Sequence, residues 1–310
     1  MRLATLFLAL AAALAAQHKP ITPAGAAKPV GPYSPAIDTG QYVYVSGQGA
    51  RDGDGAMPAG IEAQTRQCLA NVRMNLEAAG LEFRHVISAQ LYLVDMETLP
   101  TVERLWTEIL GATQPPHITL GVTRLPTDTP IEITVVARRA TGDRVYLSPI
   151  YAQTRQQAEK QLTAALKKAG LNRKHLEMAN WYTTGVAAPG VIGVAALPDK
   201  AQWAVAAVAA KRKETSVFCE VVSPKPAGTV EQQTTEAFAG LKACLAKRGA
   251  TLAAVAATNV YLADIADFAR MNAIYASMFS GAFPSRTTIQ SVAPAKALAA
   301  VRLSAIAEKP

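Results

Sequence analysis

Two basic side chains hold corresponding places in this chain of 310 residues, and they differ. His117 follows the Pro115-Pro116 bend of QPPHITLG, and Arg286 follows Pro284 in FPSRTT. A guanidinium stays charged and grips a carboxylate through two parallel hydrogen bonds. An imidazole is neutral for much of the time near neutral pH and holds a carboxylate less well, so His117 also reads as a packed histidine. Glu132, which alternates with Ile131 and Ile133, could move a proton or orient a water; equally, it could be the solvent face of a strand. Tyr33, in GPYSPAI, could line a cleft or stack in its proline-rich turn. The chemistry within reach of such groups is recognition of a small carboxylate with acid-base assistance. The four histidines have no metal-ligand spacing. His85 and His175 each lie five residues after a helix-ending glycine and read as inherited surface positions.

The elements that must position these groups are written out more than once. Residues 114–140 read as a bend, a strand, a turn at Leu125-Pro126-Thr127-Asp128 and a second strand, with β-branched residues in the strands and Pro and Asp in the turn. The ending returns as VAALPDKAQWAVAAVAAKR and, more loosely, as SVAPAKALAAVRLSAIAEK. Upstream, Tyr42 to Val45 reads as a strand running into Ser46-Gly47-Gln48, and Arg51 to Gly55 as a Gly/Asp loop. Apolar residues at helical spacing predict a helix over residues 61–79, stopped by Gly80. A strand over 86–94 and a helix over 99–110 follow, giving the order ββαβαβ. Tyr92 lies twelve residues after Gly80, Tyr182 twelve after Gly170, and Tyr261 twelve after Gly249; AQTRQ opens the long helix twice. The second copy lacks the second helix and most of the early loop. The third keeps a second helix over 267–279 but lacks a GPYSP-like turn. The expected organisation is a signal peptide over 1–16, a flexible lead over 17–28, and units over 29–140, 141–213 and 214–310.

Composition narrows the class. Half of the residues are hydrophobic, enough for a substantial core. Met1-Arg2, then an apolar run ending in small residues before Gln17, has the form of a cleaved secretory signal, too short for a bilayer span, so a periplasmic or secreted protein without a stable membrane anchor is expected. Three cysteines make no closed framework and no CxxC pair. Cys68 and Cys244 fall in helical patterns and are expected to pack as small apolar groups, with one disulfide possible in an oxidising compartment. The net charge of +8 is scattered. Without an aromatic-basic motif it reads as solubility, not as a nucleic-acid surface.

GPYSPAI, VSGQ, AQTRQCLANVRMNLEAAG, LYLVD and LPTDTPIEITVVA together make the first unit closely similar to the RidA/YjgF family, also called endoribonuclease L-PSP. The last unit resembles the family's second half through NVYLAD, MNAIYASMF and FPSRTT. The resemblance implies a chorismate-mutase-like α+β fold, mixed sheets packed by helices, with clefts between the subunits of a trimer. Three units in one chain then imply an intrachain pseudo-trimer, with no further oligomer required. It also implies hydrolysis of 2-imino acids to 2-keto acids and ammonia without metal or organic cofactor; the alternatives are a non-catalytic module binding a small carboxylate or a partner, and, last, a ribonuclease. Carried over by position, Tyr33, Ser46, Gly47 and Glu132 match the family's cleft in the first unit. His117 stands where the carboxylate-binding arginine is expected, and Glu103 where an asparagine is. The last unit supplies Arg286 and Asn272 but has Arg302 at the Glu position, and the middle unit offers Ser148 followed by Pro149. A complete set therefore requires Arg286 and Asn272 to face the first unit.

Overall fold

The computed structural model describes residues 18–188, 190–212, 216–292 and 299–309. The expected signal peptide and the turn expected at Pro294 lie outside them. In the first unit, strands β1 (Lys19–Ile21), β2 (Ala36–Asp38) and β3 (Tyr42–Gly49) precede helix α1 (Ile61–Ala78), strand β4 (Val86–Leu93), helix α2 (Leu99–Leu110) and strands β5 (His117–Gly121) and β6 (Ile131–Arg138). Their spatial order is β1-β2-β3-β6-β4-β5. The middle unit contains β7 (Arg144–Tyr146), β8 (Ile150–Ala152), α3 (Arg155–Lys168), β9 (Leu176–Thr183), β10 (Val191–Gly193) and β11 (Trp203–Ala210). The last contains β12 (Ser216–Val222), α4 (Val230–Lys247), β13 (Val255–Leu262), α5 (Phe268–Ser277), β14 (Ser285–Gln290) and β15 (Val301–Glu308).

Each sheet is mixed in the same way. A central strand pairs antiparallel on one side (β4 with β6, β9 with β11, β13 with β15) and parallel on the other (β4 with β5, β9 with β10, β13 with β14). The long helices end alike, at Gly80, Gly170 and Gly249, whose φ values of 71°, 73° and 69° are left-handed and suit glycine. The turn before the last strand of the first unit holds Thr127 and Asp128 at φ 59° and 55°; the middle unit repeats this at Asp199 and Lys200, at 53° and 54°.

Strand alternation sorts the side chains into two layers. Leu91 and Leu93 of β4, and Ile131, Ile133 and Val135 of β6, pack under α1 and α2 with Cys68, Leu69, Val72 and Trp106. Equivalent cores lie under α3 and under α4 and α5. The opposite faces of all three sheets meet in a further apolar cluster, where Tyr92, Tyr182 and Tyr261, the residues that mark the repeat, are buried together.

The expected flexible lead is not one throughout: β1 pairs with β2 over Lys19 to Ile21, and Ile21 joins the first core. Cys244 does not pack as a free thiol either. It forms a disulfide with Cys219, tying α4 to β12, while Cys68 is free and buried.

Candidate active site between the first and last units

Strand register fixes which residues correspond. Leu120 pairs with Tyr92, Ile289 with Tyr261 and Ile192 with Tyr182. His117 and Arg286 each stand three residues before these partners, on the parallel strand. Glu132 pairs with Tyr92, Arg302 with Tyr261 and Ala204 with Tyr182, so these three are equivalent.

β14 of the last unit lies against β3 of the first. The Arg286 N–H donates to Ser46 Oγ at 2.9 Å, and Ser46 Oγ donates to the Ser34 carbonyl at 2.6 Å. Ser34 answers across the boundary: its hydroxyl donates to the Phe283 carbonyl at 2.6 Å and its N–H to the Pro284 carbonyl at 3.1 Å. The GPYSP turn is thereby fastened to the FPSR bend, and Arg286 is set beside Tyr33, Ser46, Gly47 and Glu132.

The Arg286 side chain is buried. Nη1 donates to Asn272 Oδ1, on α5, at 2.8 Å. The guanidinium lies 4.8 Å from the Tyr275 ring centroid, 5.1 Å from that of Tyr33 and 5.3 Å from that of Phe268, an aromatic setting that favours a cation. Nη2 has no partner among the described residues. Gly31 leaves room for it, since a Cβ there would stand 2.5 Å from Nη2.

Glu132 is 6% exposed, so its alternation with two isoleucines marks a buried boundary, not a solvent face. Its carboxyl packs over Gly47, where a Cβ would stand 1.9 Å from Oε1, and among the described residues Oε1 has no hydrogen-bond partner. Burial pushes the Glu132 carboxyl up to about 8, against the opposing pull of Arg286. Burial raises Tyr33 and lowers Arg286. A cavity of about 90 Å³ opens between these groups, lined also by Gln48, Arg51, Asn71, Thr127, Phe268 and Thr288. An unpaired buried N–H and an unpaired buried carboxyl on one small cavity are complementary to an acidic ligand that also carries a basic or polarised group.

His117 does not join this set. It stands at the boundary of the first and middle units, its Nε2 3.1 Å from both oxygens of Glu103 and its ring 4.8 Å from that of Trp106. Nearby, the middle unit's Tyr151 hydroxyl accepts from the Thr119 N–H at 2.8 Å and so occupies the strand edge. At the boundary of the middle and last units, Arg302 takes the Glu132 position, with Nη1 donating to the Val191 carbonyl and Nη2 to Ser291 Oγ, both at 2.8 Å. Among the described residues, no group of three or more His, Cys, Asp or Glu side chains could hold a metal ion.

Thr288, Phe268 and Arg51 were missed as site residues. Thr288 was legible in principle, since it lies two residues from Arg286 on one strand and shares its face. Arg51 was read only as part of a loop.

Comparison with known proteins matches the first and last units. The Endoribonuclease L-PSP family profile matches residues 24–139 and 220–309, leaving the middle unit unmatched. The chain belongs to that family, the RidA/YjgF proteins. A RutC family protein of Pyrococcus horikoshii is 40% identical over 114 residues, spanning 36% of this chain and 90% of the relative. The 2-iminobutanoate/2-iminopropanoate deaminase of Escherichia coli K12 is 36% identical over 126 residues, spanning 39% of this chain and 98% of the enzyme. Among solved structures, the YjgF gene product of E. coli matches at 35% identity over 39% of this chain and 99% of its own, with a TM-score of 0.37. E. coli TdcF with bound serine matches at 32% identity over 39% and 99%, with a TM-score of 0.38.

Proposed function

We propose that the cleft between the first and last units hydrolyses small 2-imino acids to 2-keto acids and ammonia. The observation that carries this reading is the buried Arg286 with Nη2 unpaired, facing the same cavity as a buried, unpaired Glu132. Arg286 binds the substrate carboxylate, held in place by Asn272 and by the aromatic rings around it. Glu132 is mostly protonated near neutral pH because it is buried. It donates its proton to the imine nitrogen, which makes the adjacent carbon electrophilic. Water adds to that carbon, and Glu132, now a carboxylate, takes the proton the water loses. Returning that proton to nitrogen makes ammonia the leaving group; as the C–N bond breaks, the Glu132 carboxylate takes the proton of the hydroxyl that becomes the keto oxygen and ends protonated, as it began. Tyr33 lines the pocket and borders the reacting carbon. The 36% identity to a deaminase that names imino acids as its substrates supports the same chemistry.

The middle unit reads best as a worn copy of the same fold, kept as a structural third of a single-chain counterpart to a three-subunit assembly. The N-terminal run argues for export. N-terminal sequencing of the protein recovered from the cell envelope or medium tests that, with a start near residue 17 expected.

The activity is tested by supplying imines in situ from amino acids with an amino-acid oxidase. Ammonia and keto-acid release is then followed for the wild type, Arg286→Ala and Tyr33→Phe. Acceleration over background that is lost in Arg286→Ala supports the proposal. No acceleration with any imine removes it and leaves a carboxylate-binding scaffold.

A further inference from the structure

The charge on the cavity exceeds what one substrate carboxylate needs. Arg286 lines it. Arg51 and Lys28 also line it, and among the described residues neither has a carboxylate partner. Arg51 is not loose. Its Nη1 donates to the Gly55 carbonyl at 2.9 Å and its Nη2 to the Thr127 carbonyl at 3.0 Å, both neutral acceptors that orient the guanidinium without cancelling its charge.

Of the neighbouring acids, Asp52 and Asp128 are held by other groups and Asp54 lies exposed at the loop tip. Asp52 turns its Oδ1 to the N–H groups of Asp54 and Ala56, at 3.0 and 2.9 Å. Asp128, within the field of Arg51, is held by Arg124 through bonds of 2.6 and 3.2 Å. Among the described residues the one acid lining the cavity is Glu132, mostly protonated near pH 7 because it is buried. The loop that carries Arg51 packs closely on the early segment that carries Lys28: a Cβ on Gly53 would stand 2.1 Å from the Gly25 carbonyl. Arg51 and Lys28 therefore bring positive charge to the cavity in addition to that of Arg286.

We infer that the site selects 2-imino acids bearing a second carboxylate on the side chain, with Arg286 taking the carboxylate beside the imine and Arg51, aided by Lys28, taking the distal one. This rests on the deaminase reading for its chemistry, but the recognition it claims is separable. A guanidinium matches a carboxylate in a way that a neutral side chain cannot replace.

The test compares imines formed in situ from glutamate with imines formed from 2-aminobutanoate, in the wild type, Arg51→Gln and Arg51→Lys. The wild type is expected to favour the dicarboxylate by about tenfold or more in kcat/KM. Arg51→Gln should lower that ratio by about tenfold, while Arg51→Lys, which keeps the charge, should hold it within roughly threefold of wild type. A ratio unchanged in Arg51→Gln, or a wild type that favours the monocarboxylate, overturns the inference. Should no imine be hydrolysed, calorimetric binding of 2-oxoglutarate and 2-oxobutanoate decides it independently. Tighter 2-oxoglutarate binding that Arg51→Gln removes sustains the selectivity, and equal affinity or no binding of either overturns it.

Discussion

The backbone N–H of Arg286 donates to the hydroxyl of Ser46 at 2.9 Å, across 240 residues of sequence. One serine hydroxyl thus joins the strand that carries Arg286 to the turn that carries Tyr33, and its own proton is already given to Ser34. Replacing Ser46 by alanine would leave the Arg286 N–H unpaired in a buried place, at a cost of about 1–3 kcal/mol.

Arg286→Ala is expected to lower kcat/KM for imine hydrolysis on the order of 100-fold or more, because a buried, charge-assisted pair is lost. Arg286→Lys should recover only part of this, since an ammonium cannot make the two parallel bonds. Steady-state kinetics, with circular dichroism to verify folding, checks both.

Glu132 predicts a pH dependence with a definite sign. Its carboxyl is raised from an ordinary 4.5 to about 8 in the folded protein. Between these values the folded state holds a proton that the unfolded state has released, so stability falls as pH rises from 4.5 toward 8 and levels off above it. Because the protonated form starts the reaction, kcat/KM should fall as pH passes upward through about 8. Glu132→Gln should lose both the stability slope and the kinetic limb. Urea unfolding and initial rates from pH 5 to 9 measure them.

Gly47→Ala isolates the seat of the carboxyl. Gly47 has no left-handed φ, so the substitution acts through the methyl group, which would stand 1.9 Å from Glu132 Oε1. Activity is expected to drop by about tenfold or more, because even small displacements of a reacting group are costly. Thermal melts should move far less than for a core substitution.

A buried ionic knot joins the three units and gives a stability prediction. Arg144 donates to Glu308 Oε1 at 2.8 Å and to the Tyr44 hydroxyl at 2.6 Å, with its guanidinium 3.7 Å above the Tyr42 ring. Ser216 donates to the other Glu308 oxygen at 2.6 Å. Arg144→Met alone strands a buried carboxylate and should cost about 3–5 kcal/mol, while Arg144→Met with Glu308→Leu should recover much of it. Guanidinium denaturation of the three variants is the measurement.

The disulfide gives a last prediction. It closes a segment of sequence separation 25, so the Cys219→Ala/Cys244→Ala variant should lose about 3 kcal/mol. A melt of the wild type with reductant should approach that of the variant.

Much of this was legible in the residues. The apolar spacing from Ile61 to Leu76 gave helix α1 within a residue, and the glycine-to-tyrosine interval marked the three central strands. The site set Tyr33, Ser46, Gly47, Glu132, Arg286 and Asn272 was legible as a list, but not as a place. Which units face one another is decided by side-chain packing and by bonds such as Ser34 to Phe283, and no local pattern encodes these. His117 illustrates the limit. Its position in the repeat was right, but its environment comes from Glu103 and Trp106 one helix away, and they turn it into a packed, paired side chain. The lead over 17–28 was misread because Lys19 to Ile21 is a three-residue edge strand, too short to carry a periodicity. The cysteine pair was open for the same reason: only the contact of α4 with β12 brings Cys244 to Cys219.

The site lies where the first third of the chain meets the last. Its turn and carboxyl lie within residues 31–132 and its guanidinium and aromatic wall within 268–288, so neither half is a cleft without the other. A polypeptide clipped so that its final third drifts away would still carry two sheets and helices α1 to α3, yet would have no cleft of this kind. The cleft therefore forms only when the first and last thirds of the chain close on one another.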